Sequence, residues 1–343
     1  MKELANVNRL RQRDLLRPFP RVWLQDSTNL SLPDHLAEAF PGPGNGRKKT
    51  SASLKIQAVY DLLSDSFHQF RVSGFTRTDQ MAAADILQVA RKGDLVIRDL
   101  GYSAMAVFQK MLDSGIHFLS RLSARVSVYD PVTLKKLDLV ELLRKNGSLD
   151  CQVLVGAHAK MPIRLVALRV PEEVANQRRR KAKQNKDGRY KPSAKFLQLL
   201  GWQLFITSVP DTVWSAKNVQ DVYAMRWRIE IIFKSWKSHF NMTALPKASA
   251  DTLEAFLWAE LFAICLFQPM FGALDLHYSY SNRPLSLLKM AQFFPLLLAS
   301  VFIKVNDPML ISALLATHFF LEKRNKKKPL LLNPVSLCSA PFG

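Results

Sequence analysis

The stretch at 222–237, Val-Tyr-Ala-Met-Arg-Trp-Arg-Ile-Glu-Ile-Ile-Phe-Lys-Ser-Trp-Lys, carries two patterns on one predicted helix. Val222, Met225, Ile229, Ile232 and Trp236 recur at three- and four-residue steps, the spacing of a face turned to a core, and no Gly or Pro interrupts them. At roughly 100° per residue, Tyr223, Arg226, Glu230 and Lys237 fall within about 60° of one another on an adjoining strip. Such a helix must bury one face against a larger body while its polar strip lines a groove. Taken alone, Glu230 with Arg226 one turn before it is an i,i+4 ion pair on a solvated face. What the rest of the chain supplies decides between the two readings.

With 343 residues and 48% hydrophobic content the chain can bury a sizeable core, as one large domain with an insertion or as two domains. Lys and Arg outnumber Asp and Glu by 48 to 28, a net charge of +20, which points to a polyanionic partner, nucleic acid or an acidic membrane. Cys151, Cys265 and Cys338 are odd in number and far apart, so neither a disulfide framework nor a zinc site is indicated. Residues 1–21 are polar and Arg-rich, without the apolar run of a secretory signal.

Residues 21–26 read as a short buried strand that gives way to a turn at Asp26-Ser27-Thr28. Residues 41–50 resemble a phosphate loop only superficially, because Arg47 stands where a second Gly is needed, and they are expected to form a basic loop. Residues 54–60 and 67–73 alternate as two strands of a meander, and 78–91 reads as a helix capped by Thr78. The run Asp94-Leu-Val-Ile-Arg-Asp99-Leu-Gly-Tyr102 is an interior strand that presents Asp99 at its C-terminal edge. A helix at 103–114 and a strand at 115–122 follow. This order predicts an α/β fold, a ribonuclease H-like mixed sheet flanked by helices. By themselves Asp26 and Asp99 are ordinary turn or capping residues.

Between Asp99 and Glu230 lie 130 residues, so an insertion is expected, mainly β, at 123–210, with strands at 126–129, 152–155, 163–170 and 203–208. The divisions are 1–122 and 211–322 for the two parts of the core, 123–210 for the insertion and 323–343 for a basic tail. Residues 178–195, which include Arg178, Arg179, Arg180 and Lys181, carry nine basic residues against one acid and read as a solvated or disordered loop that orders on a phosphate backbone. Trp202, a strand tryptophan, reads as core. Residues 252–274 and 285–303 are very apolar. Glu254, Glu260, Gln268 and Pro269 interrupt the first, and Lys289, Gln292 and Pro295 the second, so both are expected to be buried helices and not membrane spans. A last helix at 308–322 leads into the basic run 323–328.

The spacing Tyr223-x2-Arg226-x3-Glu230-x6-Lys237 resembles, without a gap, the Y-R-E-K signature of family four of the bacterial insertion-sequence transposases, which belong to the DDE class. Asp26-Ser-Thr and Asp99-Leu-Gly-Tyr resemble that family's other two motifs. The resemblance, over residues 22–303, implies a DNA transposase that cleaves and transfers strands, with Asp26, Asp99 and Glu230 as catalytic carboxylates and metal ligands. Carboxylates from several elements suit two divalent cations about 3.5 to 4 Å apart, and oxygen-rich ligation suits Mg²⁺ or Mn²⁺. Tyr223, Arg226 and Lys237 are then DNA contacts. Trp202, at the family's spacing of 21 residues before the signature tyrosine, becomes a platform for a base extruded near the cleaved end.

The resemblance further implies the element's ends and target DNA as partners, a homodimer in the DNA complex, no membrane, and a bacterial cytoplasmic setting. Family members carry a helical DNA-binding domain before the first aspartate, whereas 25 residues precede Asp26, so this chain is expected to lack it. Two alternatives stay open: an inactive or truncated DNA-binding remnant that inhibits full-length transposase, and another ribonuclease H-like nuclease.

Overall fold

The computed structural model describes residues 9–43, 51–158, 160–184, 191–240, 242–243, 248–280 and 285–302. Most of the expected loop 41–50, residues 185–190 of the basic run, the expected helix at 308–322 and the tail 323–343 lie outside the described residues. The elements run α1 (Arg9–Leu16), β1 (Val22–Leu32), β2 (Ala52–Asp61), β3 (Ser66–Gly74), α2 (Asp79–Ala82), β4 (Leu95–Arg98), α3 (Met105–Asp113) and β5 (His117–Arg121). There follow β6 (Val128–Tyr129), α4 (Leu139–Asn146), β7 (Leu149–Val155), β8 (Met161–Arg169), α5 (Glu172–Lys183), α6 (Ala194–Leu199) and β9 (Trp202–Thr207). The chain continues through α7 (Ala216–Ala224), α8 (Trp227–Ser238), α9 (Ala250–Tyr280) and α10 (Leu287–Phe302).

One sheet holds these nine strands in the order β3-β2-β1-β4-β5-β9-β8-β7-β6. β4 is buried along its whole length because it lies between β1 and β5 and is parallel to both, and a strand covered on both faces reads as a continuous apolar run. β1, β2 and β3 form the antiparallel meander. The unit β3-β2-β1-β4-β5 is therefore a ribonuclease H-like sheet, as the order of elements predicts. The strands inserted after it extend the same sheet, β9 pairing antiparallel with β5 and β8, β7 and β6 following.

Alternation along β1 assigns its two faces. Val22, Leu24, Leu30 and Leu32 enter one core with Val222, Ile229, Ile232 and Trp236, whereas Trp23 enters a second core with Ala83, Phe108 and Leu143. Helices α7 to α10 thus cover one face, and α2, α3 and α4 cover the other.

Several expectations are corrected. β1 does not end at Asp26 but runs on to Leu32, because β2 pairs with it from Trp23↔Asp61 to Leu32↔Ala52; only the parallel pairing with β4 stops, at Gln25↔Arg98. The helix expected at 78–91 keeps its Thr78 cap, whose hydroxyl accepts from Met81 N, but tightens into a 3-10 turn at Ala83–Gln88 that seats Ala83 and Ile86 in the second core. The basic loop is a helix as far as Lys183, with Glu172 and Glu173 in its first turn and Arg180, Lys181 and Lys183 in its last, the arrangement that complements the helix dipole. α9 also differs from expectation in one respect: Ala250–Ser279 is long and apolar enough to cross a membrane by length and composition, although Glu254 and Glu260 lie in it. Its Leu253, Leu257, Leu261, Ile264, Phe267 and Phe271 pack in the first core, while Phe256, Phe262 and Leu266 are exposed.

Candidate active site

The parallel register pairs Val22 with Leu95 and Gln25 with Arg98, so one step further on Asp26 stands opposite Asp99. Both continue the alternation of Leu24 and Ile97, which lie in the first core, and so project toward the face covered by α7 and α8. Beneath them, on the other face, the buried Arg98 donates to Gln25 Oε1 at 2.7 Å and stitches the residues that precede the two aspartates.

The signature residues reach this face from two helices and not from one. Ser215 caps α7 by accepting from Asn218 N, and the chain tightens between Ala224 and Trp227, where Met225 N donates to Val222 O and Arg228 N to Met225 O. A 3-10 turn within a helical stretch often marks a functional hinge or a strained sequence. Here it brings Tyr223 from the end of α7 and Arg226 from the cap of α8 onto the aspartates. Tyr223 Oη donates to Asp99 Oδ1 at 3.0 Å, and Arg226 Nη1 donates to Asp26 Oδ2 at 3.0 Å while Nη2 binds Glu230 Oε1. The apolar stripe of the stretch is buried as predicted: Val222, Met225, Ile229, Ile232 and Trp236 are all in the core.

Burial pushes the Asp26 carboxyl from 3.8 up to about 6; Arg226 and the Ser27 N–H oppose the rise, and the negative charges of Asp99 and Glu230 add to it. Burial likewise raises the Tyr223 phenol. For Arg226 burial works against the charge, yet the surrounding Tyr223, Asp99, Asp26 and Glu230 hold it protonated above its ordinary value. The site is thus an acidic cluster partly compensated by one guanidinium, which bonds Asp26 and Glu230.

In kind, three carboxylates from separate elements fit a hard divalent cation. In spacing Asp26 and Glu230 are closed on Arg226 and Asp99 is held by Tyr223, and among the described residues no group of three His, Cys, Asp or Glu is assembled to hold an ion. Loading of a metal on Asp26 and Glu230 would require Arg226 to release the oxygens it holds.

Other expected residues stand apart from this cluster. Lys237 lies two turns along α8, partly buried, and burial lowers its ammonium. Trp202 opens β9 at the edge where β5 ends, but its ring packs with the second core, on the face away from the carboxylates, and its Nε1 donates to Gly147 O at 2.7 Å. Arg178 is tied to Trp202 O and Arg179 to Glu172 and Leu197 O, whereas Arg180 and Lys181 are exposed. Sequence reasoning missed Arg121. Arg98 pairs with Ser120, so Arg121 completes a row with Asp26 and Asp99 on neighbouring strands, and its charge acts on Tyr223. Only the register between β4 and β5 could have revealed it.

A ribonuclease H-like sheet with an acidic cluster drawn from the middle of β1, the end of β4 and α8 defines the class. The chain belongs to the transposase DDE domain family, whose model matches residues 17–266. It is 29% identical over 333 residues to the transposase for insertion sequence element IS231C of Bacillus thuringiensis subsp. berliner, covering 90% of this chain and 69% of the relative. With the transposase for IS231D of Bacillus thuringiensis subsp. finitimus it shares 32% identity over 269 residues, 72% of this chain and 56% of the relative. A putative transposase InsL for IS186A of Escherichia coli (strain K12) is 29% identical over 252 residues, 69% of this chain and 64% of the relative. Among solved structures, the cryo-EM structure of the piggyBac transposase synaptic complex with hairpin DNA covers 89% of this chain and 59% of that chain at a TM-score of 0.44 and 10% identity. Membership of the family implies dependence on a divalent metal.

Proposed function

We propose that the protein is an insertion-sequence transposase that nicks DNA at the element's ends and joins the freed 3′-hydroxyl to target DNA. Arg226 carries this reading, because its guanidinium gathers Asp26 and Glu230 beside Asp99, the three carboxylates that strand cleavage requires. Asp26, Asp99 and Glu230 would hold Mg²⁺ or Mn²⁺, as a pair of ions that activates the attacking oxygen and steadies the leaving one.

The chain's own residues do the rest. Released from the acids, Arg226 meets a phosphate beside the cut, with Tyr223 and Arg121 around it, since guanidinium groups match phosphate oxygens in a two-pronged fork, and Lys237 meets the DNA further along α8. Arg180 and Lys181 clamp the DNA backbone, with Arg178 and Arg179 bracing their helix. For Trp202 to receive an extruded base, its ring would have to leave the second core and its bond to Gly147 O. The core halves 1–122 and 211–322, the insertion 123–210 and the basic tail 323–343 act together, as a homodimer on the element's ends in the bacterial cytoplasm. A supercoiled plasmid bearing the element's ends, incubated with the protein and Mn²⁺ or Mg²⁺, tests this. Nicks at the end sequences support the reading, and DNA binding without metal-dependent nicking would replace it with that of an inhibitory remnant.

A further inference from the structure

We infer that Asp79, which lies outside the acidic cluster, is a positioning residue that sets both aspartate-bearing segments from behind the sheet; the inference rests on the transposase reading of Asp26 and Asp99. Asp79 opens α2, and its Oδ1 accepts from Ser27 Oγ at 2.8 Å, Lys55 Nζ at 3.0 Å and Gln57 Nε2 at 3.2 Å. Ser27 follows Asp26 and therefore projects to the opposite face of β1, where its register partner Gln57 also points. The bond to Ser27 thus restrains the backbone that carries Asp26 from the far side, while Ser27 N donates to Asp26 Oδ1 at 2.8 Å on the near side.

The second segment is reached in two ways. Gln57 Oε1 accepts from Tyr102 Oη, and Tyr102 N donates to Asp99 O at 3.1 Å. Gly101 lies against the same carboxylate: a Cβ there would stand 3.1 Å from Asp79 Oδ2 and 3.4 Å from Asp79 Cβ, tighter than most such contacts. One carboxylate therefore explains three residues of the two motifs that carry no acid, namely Ser27, Gly101 and Tyr102. Lys55, whose side chain is 8% exposed, pairs with Asp79 and holds it in place, and hydrogen bonds to an ionised acceptor are roughly twice as strong as neutral ones. Because Ser27 and Asp26 alternate, Asp79 sits across the sheet from the acidic cluster. It orients the metal-binding aspartates without joining them.

The test uses the full chain with Asp79→Ala, Asp79→Asn, Ser27→Ala, the Ser27→Ala/Asp79→Ala double variant and Gly101→Ala. Losing a direct outer partner of a metal-binding carboxylate typically costs about 10- to 100-fold in metal affinity or activity, and Asp79, one bond further out through Ser27, should fall at the low end of that range. The Mn²⁺ concentration for half-maximal nicking should accordingly rise about tenfold in Asp79→Ala, with a smaller change in the rate at saturating Mn²⁺. Asp79→Asn, which keeps the acceptor but loses the charge, should fall between, and Gly101→Ala should reproduce the direction without removing any hydrogen bond. The double variant should be no worse than the poorer single variant, since both break one contact. Independently of activity, hydrogen exchange should accelerate in Asp79→Ala at 22–32 and 98–103 and remain unchanged in β7 and β8. Unchanged exchange at both segments, acceleration spread evenly over all strands, or additive effects of Ser27→Ala and Asp79→Ala would overturn the inference. Should the unaltered protein not nick DNA at all, the transposase reading fails, and exchange at the two segments still decides whether Asp79 holds them.

Discussion

Arg226 donates a hydrogen bond at 3.0 Å to Asp26, 200 positions earlier in the chain, and thereby ties the start of α8 to the middle of β1. The same guanidinium holds Glu230, so one cation keeps two carboxylates at rest in a partly buried site.

Removing that cation should leave the acids facing each other. Breaking a buried ion pair costs about 3 to 5 kcal/mol, and the side chains of Arg226 and Asp26 are 12% and 16% exposed, so Arg226→Met should melt several degrees lower than the unaltered protein without metal. Added Mn²⁺ should recover more stability in the variant than in the unaltered protein, because it replaces the lost charge. Thermal unfolding with and without Mn²⁺ measures both, and equal melting temperatures would mean that Arg226 is not the counter-charge.

Asp26 sets a pH dependence whose sign follows from its raised value. An acid held at about 6 in the folded state against 3.8 when free costs nothing well below pH 3.8, where both states are protonated. Stability then falls as the pH rises toward 6 and stays lowered above it, by roughly 3 kcal/mol. Asp26→Asn, which still accepts from Arg226, should be more stable than the unaltered metal-free protein at pH 7, the gain shrinking as the pH falls through 6 and vanishing only well below pH 3.8. Denaturant unfolding across this range should show the convergence, and a constant difference would contradict it.

The carboxylates themselves should be indispensable for chemistry and dispensable for folding. Asp26→Ala, Asp99→Ala and Glu230→Ala are each expected to abolish metal-dependent nicking while keeping the far-ultraviolet circular dichroism and DNA-end binding of the unaltered chain. Full activity in any one of them would remove that residue from the metal site.

Lys237 stands apart from the acidic cluster, so its contribution should appear in binding. If its ammonium meets a phosphate, Lys237→Ala should weaken DNA binding and flatten the plot of log affinity against log salt by about one unit. The exposed Arg180 and Lys181 should act likewise, and Arg179, tied to Glu172, less. Filter binding at several salt concentrations separates them, and an unchanged slope for Lys237→Ala would return it to an ordinary solvated position.

A buried polar network behind α8 should make stability sensitive to one glycine. Tyr60 Oη donates to Asp65 Oδ1 at 2.6 Å, Arg228 pairs with Asp65 at 2.8 Å, and Gln268 Nε2 donates to Tyr60 Oη at 3.2 Å. A Cβ on Gly272 would stand 2.4 Å from Asp65 Cβ. Gly272→Ala should therefore cost about 3 kcal/mol through overpacking, read as a shifted urea midpoint. An unchanged midpoint would show that α9 can move away from Asp65.

What the sequence determined by itself was whatever depends on neighbours along the chain. The unbroken apolar run of β4 announced a strand covered on both faces, with Asp99 at its end. The three- and four-residue spacing announced the buried stripe from Val222 to Trp236, and the step from Arg226 to Glu230 announced their pair. Tertiary structure decided the rest, because each remaining feature depends on a partner far away in sequence. β1 stays extended past Asp26 because β2 pairs with it, and the signature stretch tightens between α7 and α8 where Arg226 reaches Asp26 and Tyr223 reaches Asp99. The charge run at 178–183 divides into braces and exposed cations because Trp202, Leu197 and Glu172 take up Arg178 and Arg179. Arg121 and Asp79 were invisible for the same reason: one joins the site through strand register, and the other through hydrogen bonds to residues 52, 24 and 22 positions away. Local spacing encodes which face a side chain occupies, and only the pairing of strands encodes what it meets there.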